Sequence, residues 1–167
     1  SDGTRPISDR GKEALFNILA PRLPGARFLD LFAGTGGVGI EALSRGAAAA
    51  TFVELNDAAI GDLRWNLDKT RLRENASVVR ADVFAFLGRP PDEFDLVWVS
   101  PPQWQELWER TVEMLDGAPE WVAEDGVLIV QCDPREVHEI ALANFERYDV
   151  RTYGNVAFIF HRRTPPG

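Results

Sequence analysis

Phe28-Leu29-Asp30-Leu31-Phe32-Ala33-Gly34-Thr35-Gly36-Gly37-Val38-Gly39 is the stretch that decides the fold. A short apolar run, residues 26–32, reads as a buried strand. It passes at once into G-x-G-x-x-G and then into a helix that runs through Arg45 and closes at Gly46. Glycines between a strand and a helix let the backbone turn tightly and lie close to a ligand. The motif alone is shared by dinucleotide binders and other nucleoside-binding folds, so its surroundings carry the rest.

Downstream, residues 51–54 form a second strand. Asp57 to Lys69 is helical, with Ile60, Leu63, Arg64 and Leu67 at i, i+3, i+4 and i+7. A third strand over 77–80 ends near Asp82, with a short helix at 83–87. Pro90 and Pro91 mark a loop, and the fourth strand, 95–99, is stopped by Ser100-Pro101-Pro102. A helix over 103–115, a fifth strand over 127–131 and a helix from Pro134 to about Phe145 are expected next. Runs 148–153 and 156–161 flank Gly154-Asn155, a hairpin signal. Upstream, Ser8 is a plausible N-cap for a helix over 9–19, ended by Pro21 and Pro24-Gly25. Five strand–helix alternations predict an α/β, doubly wound, mostly parallel sheet with helices on both faces and a C-terminal antiparallel hairpin. Residues 1–167 are expected to form one domain, 1–25 a helical segment and 26–167 the sheet core.

The 167 residues are 45% hydrophobic and 26% charged, an ordinary globular composition. No apolar run approaches 18 residues, so no membrane span is expected. Cys132 is the one cysteine and His138 and His161 the two histidines, which excludes an internal disulfide and disfavours a zinc cluster. No signal segment is visible, and the expectation is a reduced, cytoplasmic monomer without metal. The sequence opens at Ser1 rather than methionine, so the natural start is expected upstream.

Eighteen basic and 26 acidic residues give a net charge of −8, unusual for a nucleic-acid binder. The charges are segregated. Residues 1–91 hold twelve basic and eleven acidic side chains, 92–149 hold three and fifteen, and 150–167 hold three arginines and no acid. A polyanion would have to approach the N-terminal half or the C-terminal tail. The acidic block reads equally as a solvated surface that keeps the chain soluble.

Ligands of such sheets bind beyond the carboxyl ends of the strands. There Glu54 stands 20 residues after Gly34, placed to accept from ribose hydroxyls, and Asp82 within reach of an adenine amine. Asp82 could instead cap the helix at 83–87. Asp30 discriminates between ligands: a carboxylate beside the glycine loop would repel a pyrophosphate but suit the sulfonium and ammonium of S-adenosylmethionine. Its plain alternative is a buried acid bonded to backbone N–H groups. The expected cofactor contacts are Asp30, Phe32, Ala33, Gly34, Thr35, Gly36, Glu54, Leu55, Asp82, Val83 and Ser100.

Thr4-Arg5-Pro6-Ile7-Ser8-Asp9-Arg10, Glu13-Ala14-Leu15-Phe16-Asn17-Ile18-Leu19 and 28–36 together resemble the bacterial small-subunit ribosomal RNA guanine-N2 methyltransferases, from about Thr4 to about Phe160. The resemblance implies a class I methyltransferase fold with a seven-stranded, Rossmann-like sheet, S-adenosylmethionine as donor, and a guanine exocyclic amine in ribosomal RNA or the assembling small subunit as acceptor. Three departures stand out. The family's strand four ends in Asp or Asn, Pro-Pro, then Tyr or Phe, where this chain has Ser100-Pro101-Pro102-Gln103-Trp104. Gly11-Lys12 replaces an apolar residue and an arginine, and the basic hairpin ahead of Thr4 does not stand in this sequence.

The guanine amine lone pair is delocalised, so positioning must supply most of the catalysis. Ser100, the Pro101 carbonyl, Pro102, Gln103 and Trp104 are the candidate catalytic residues, the serine accepting one N–H bond without a negative charge. Arg5, Arg10 and Lys12, with Arg162 and Arg163, are the expected RNA-facing cations. Two other readings remain at this point: a degenerate, non-catalytic cofactor- or RNA-binding member, because of Ser100, and an NAD-dependent oxidoreductase. Cys132 and Trp98 read as core, His138 as exposed on a helix, and Trp108 and Trp121 as core or partner surface.

Overall fold

The computed structural model describes residues 9–166, so Arg5 and the Ser8 cap lie outside the described residues. The strands are β1 (Arg27–Leu31), β2 (Ala49–Glu54), β3 (Ala76–Arg80), β4 (Phe94–Val99), β5 (Val122–Cys132), β6 (Phe145–Tyr153) and β7 (Val156–Arg163). They form one seven-stranded sheet in the order β3-β2-β1-β4-β5-β7-β6, parallel through β5 and antiparallel at β7 and β6. The order reverses between β1 and β4, so the loops after β1 and β4 part there and leave a crevice.

The helices are α1 (Asp9–Leu19), α2 (Gly37–Ser44), α3 (Asp57–Lys69), α4 (Val83–Leu87) and α5 (Leu107–Asp116). The first three pack on one face of the sheet through Leu15, Phe16, Ala42 and Leu63 against Phe28, Phe52, Trp98 and Phe158. The last two pack on the other through Phe86, Trp108 and Val112 against Leu29, Val97, Leu128 and Ile159. Burial on both faces explains why the central strands read as unbroken apolar runs rather than alternating ones. Trp98, Trp108 and Trp121 all belong to the core. Among the described residues no helix is long and apolar enough to cross a membrane.

Two expected helices differ. The one after β4 begins at Leu107, not Gln103, because Trp104 and Glu106 hold positive φ values of 63° and 55° that no right-handed helix accommodates. Its register is set by Trp108, Thr111, Val112 and Leu115, which bury one face. After β5 only a single 3-10 turn, Pro134–Glu136, forms where a helix to Phe145 was expected. Val137 is already extended, and further along the Asp116 carboxylate accepts from the backbone N–H groups of Ala143 and Asn144 at 2.9 and 2.7 Å. Those donors are bound to a neighbouring helix end instead of to a helix of their own. His138 is therefore exposed, as expected, but not on a helix.

Candidate active site

Parallel register brings the ends of four strands to one rim: Leu31 lies beside Val53 and Val99, and Glu54 beside Arg80. From β1 the chain turns into α2 through Phe32, Gly34 and Gly36, all left-handed, with φ of 64°, 59° and 88°. Gly36 and Gly39 are glycines for reasons of space. A Cβ on Gly36 would stand 2.2 Å from Leu63 Cδ1, and one on Gly39 2.4 Å from the Phe52 ring. The first lets the loop lie on α3; the second lets α2 lie on β2.

Glu54 is tied into this loop. Its Oε1 accepts from Gly34 N–H at 2.7 Å, and its Oε2 accepts from Leu55 and Asn56 N–H at 3.0 and 2.9 Å. A carboxylate offers about four acceptor positions, so one on Oε1 remains for a ligand. Asp30 lies one layer deeper, 1% exposed, and its Oδ2 accepts from Gly39 N–H at 3.2 Å. Gly36, the N-cap of α2, has no side chain to cap with, and Asp30 does so from the strand below. Burial pushes the Asp30 carboxyl well above the usual carboxylate range; the Gly39 bond opposes this and the nearby Glu54 charge adds to it.

A cleft of about 200 Å³ opens beside the glycine loop. Phe32, Val53, Leu55, Val83, Phe84, Leu107 and Pro102 line it together with the acids Glu54 and Asp82. Phe32 and Phe84 meet edge-on, ring centroids 6.5 Å apart. Asp82 lines this cleft and also caps α4, its Oδ2 accepting from Ala85 N–H at 3.1 Å. Phe84 and Leu107 went unread in the sequence. The signal for Phe84 was its place on the first turn of a helix that follows a strand-end acid.

The turn after β4 shares a wall with the cleft, because Pro102 belongs to both. Ser100 N–H donates to Leu31 carbonyl at 3.4 Å, which ties the turn to the end of β1. Trp104 is held from the other side: its N–H donates to Glu136 Oε2 at 3.0 Å, and the Arg135 guanidinium lies 4.9 Å from its ring centroid. The indole is 56% exposed. A left-handed backbone at a non-glycine residue costs about 1–3 kcal/mol and survives only where its surroundings fix it.

The expected RNA-facing cations separate. Arg10 is exposed at the start of α1, while Lys12 is ion-paired with Glu41 at 3.5 Å. Arg162 and Arg163 correct the sequence reading. β7 runs antiparallel, so Arg162 lies beside Val127 and Arg163 beside Phe145, at the opposite end of the sheet from the strand-carboxyl rim. Arg163 donates to the carbonyls of Pro119 and Val122, and Arg162 pairs with Glu146. Cys132 is buried at the end of β5, and burial together with Glu136, Glu109 and Asp133 pushes its thiol up to about 12.

A family model described as conserved hypothetical protein 95 matches residues 1–162. The ribosomal RNA small subunit methyltransferase D of Escherichia coli K12 is 36% identical over 167 residues, which cover 100% of this chain and 83% of that protein. The chain belongs to this methyltransferase family. The Haemophilus influenzae protein of the same name is 34% identical, covering 95% of this chain and 82% of its own length. The solved structure of Escherichia coli yhhF, named as a methyltransferase, superposes with a TM-score of 0.86 at 34% identity, over 95% of this chain and 88% of that one. The seven-stranded sheet with its C-terminal hairpin is thus the class I methyltransferase fold, and the chain is an enzyme of that class. The family favours methyl transfer over the nicotinamide-dependent and non-catalytic readings.

Proposed function

We propose that this enzyme transfers a methyl group from S-adenosylmethionine to the exocyclic N2 of a guanine in small-subunit ribosomal RNA. The observation that carries the reading is Pro102, which lines the cleft beside the glycine loop and belongs to the 100–104 turn, so that donor and acceptor sites are contiguous. The ribosomal RNA small subunit methyltransferases D among its relatives support the RNA substrate.

S-adenosylmethionine supplies the methyl group on a sulfonium, an electrophile that needs no further activation. The apolar cleft between Phe32, Leu55 and Phe84 fits an adenine, and the free acceptor position of Glu54 Oε1 fits a ribose hydroxyl. The buried Asp30 carboxyl beneath the loop fits the cationic end of the ligand. On the acceptor side, the Ser100 hydroxyl and the Pro101 carbonyl receive the amine N–H bonds. They would hold the nitrogen lone pair toward the methyl group of bound S-adenosylmethionine; transfer would release S-adenosylhomocysteine, and the proton shed by the amine would pass to water. Trp104 stacks on the base, a contact typically worth ~1–3 kcal/mol. Two successive prolines fix the carbonyl's direction in advance.

The test is mass spectrometry of ribosomal RNA nucleosides from cells with and without the gene, together with methyl transfer by the purified chain. N2-methylguanosine that depends on this chain is the expected product. A methyl group on another atom, or on large-subunit RNA alone, would refute the assignment.

A further inference from the structure

We infer that Arg135 is a positioning residue for the RNA, holding Trp104 and presenting a cation to the phosphate next to the target nucleotide; this rests on the reading of the 100–104 turn as the base-binding site. Residues 92–149 carry fifteen acidic and only three basic side chains, Arg110, Arg135 and Arg147. Two of those acids, Asp133 and Glu136, stand in the turn bonded to Trp104, so a polyanion brought there meets negative charge that a cation has to offset. Arg110 lies over the Phe84 ring, and Arg147 is paired with Glu139. Arg135 is the one of the three that stands against the exposed Trp104 indole, and its own side chain is 74% exposed.

How it is held is what suits it to a ligand. Asp133, 2% exposed at the end of β5, takes Arg135 Nε on one carboxylate oxygen at 3.0 Å and Nη2 on the other at 3.2 Å. That side-on grip fixes the plane of the guanidinium and leaves Nη1 outside the pair. A planar, pre-oriented guanidinium is the group that matches phosphate oxygens. Glu136, one residue on, closes the arrangement. Its Oε1 accepts from Asp133 N–H at 3.3 Å and its Oε2 from Trp104 N–H at 3.0 Å. The turn after β5 is thereby bonded to the turn after β4. One face of the indole is covered by the guanidinium, and the base stacks on the other. An arginine whose sole task was to neutralise Asp133 would have no need to lie on an exposed indole at the strand-carboxyl rim.

The experiment titrates small-subunit ribosomal RNA against the chain loaded with S-adenosylhomocysteine at several salt concentrations. It compares the parent with Arg135→Ala, Arg135→Lys and Arg162→Ala, the last a control on the far rim. Each protein is also assayed for kcat and KM. One lost phosphate contact lowers the log–log salt slope by about 0.7–0.9. Arg135→Ala is expected to show that loss, with KM raised several-fold and kcat changed less. Arg135→Lys should keep the slope, and Arg162→Ala should match the parent. An unchanged slope in Arg135→Ala, or an equal loss in Arg162→Ala, overturns the inference. The identity of the methylated nucleoside made by the parent is read separately. A product other than N2-methylguanosine refutes the proposed function, whereas that product with an unchanged Arg135→Ala slope refutes only the role of Arg135.

Discussion

Gly34 donates its backbone N–H to Glu54 Oε1 at 2.7 Å, so the acid at the end of β2 and the loop at the end of β1 are one unit. The acid expected to meet a ribose is thus also a strut for the loop expected to lie against the same ligand. Leu55 and Asn56 bind its other oxygen, which fixes the carboxylate plane. Preorganisation of this kind means the site loses little rotamer freedom on binding.

Glu54→Ala is accordingly expected to weaken S-adenosylmethionine binding by about 1–3 kcal/mol, the usual loss for a charged hydrogen-bond partner. Glu54→Gln should fall between, since one amide oxygen cannot serve Gly34 and the Leu55–Asn56 pair together. Calorimetry checks both. Tight NAD binding, with none for S-adenosylmethionine or its demethylated product, would sink the cofactor assignment.

Asp30→Asn is expected to separate stability from binding. The folded carboxyl holds its proton above the pH at which the unfolded one loses it. Between those two values folding takes up a proton, and stability falls as pH rises; above the folded value the full penalty of a buried charge is present. Asparagine keeps an acceptor for Gly39 without the charge. Its melting temperature should exceed the parent's at neutral pH, by about 2–4 °C for each kcal/mol recovered, and the gap should close below about pH 4. Affinity for the cationic donor should fall. A variant no more stable than the parent at neutral pH would contradict this.

Much of the fold was legible because the central strands are apolar on both faces and each is followed by turn residues. The helices at Asp9–Leu19 and Asp57–Lys69 stand at the bounds their periodicity predicts. What periodicity could not show is where a tertiary partner takes the backbone donors. Asp116 holds the N–H groups of Ala143 and Asn144, and Glu136 holds that of Trp104, each from a distant part of the chain. The strand-end positions of Glu54, Asp82 and Ser100 were readable for the same reason as the strands. The far-rim placement of Arg162 and Arg163 was not, since it depends on the antiparallel sense and register of β7.

His161 should shape the acid limb of the stability curve. It is buried on β7, and loss of solvation pushes its imidazole down to about 4. The unfolded histidine takes a proton near pH 6.5 and the folded one does not, so between about 6.5 and 4 stability falls as pH falls. The full effect is of order 3 kcal/mol, reached near pH 4. His161→Gln should flatten this limb relative to the parent in denaturant titrations at pH 7, 5.5 and 4.5. Parallel curves for the two proteins would show that His161 titrates elsewhere.

Ser100→Asp tests whether the turn after β4 is the acceptor site. Ser100 is half-buried, held by its N–H to Leu31, and followed by two prolines, so a longer side chain there changes the chemistry more than the backbone. An aspartate would add a charged acceptor for the amine and favour the positive charge that develops on nitrogen as the methyl arrives. Charge-assisted bonds are roughly twice as strong as neutral ones. Single-turnover methyl transfer to small-subunit RNA and to assembled subunits should therefore be faster in Ser100→Asp, by about tenfold for each 1.4 kcal/mol gained in the transition state. Trp104→Ala should slow the same reaction or weaken RNA binding, by the ~1–3 kcal/mol typical of a stacked base. Trp104→Ala should bind S-adenosylmethionine as the parent does, because Trp104 does not line the cleft beside the glycine loop. A Ser100→Asp protein no faster than the parent, together with a Trp104→Ala protein of full activity, would remove this turn from the reaction.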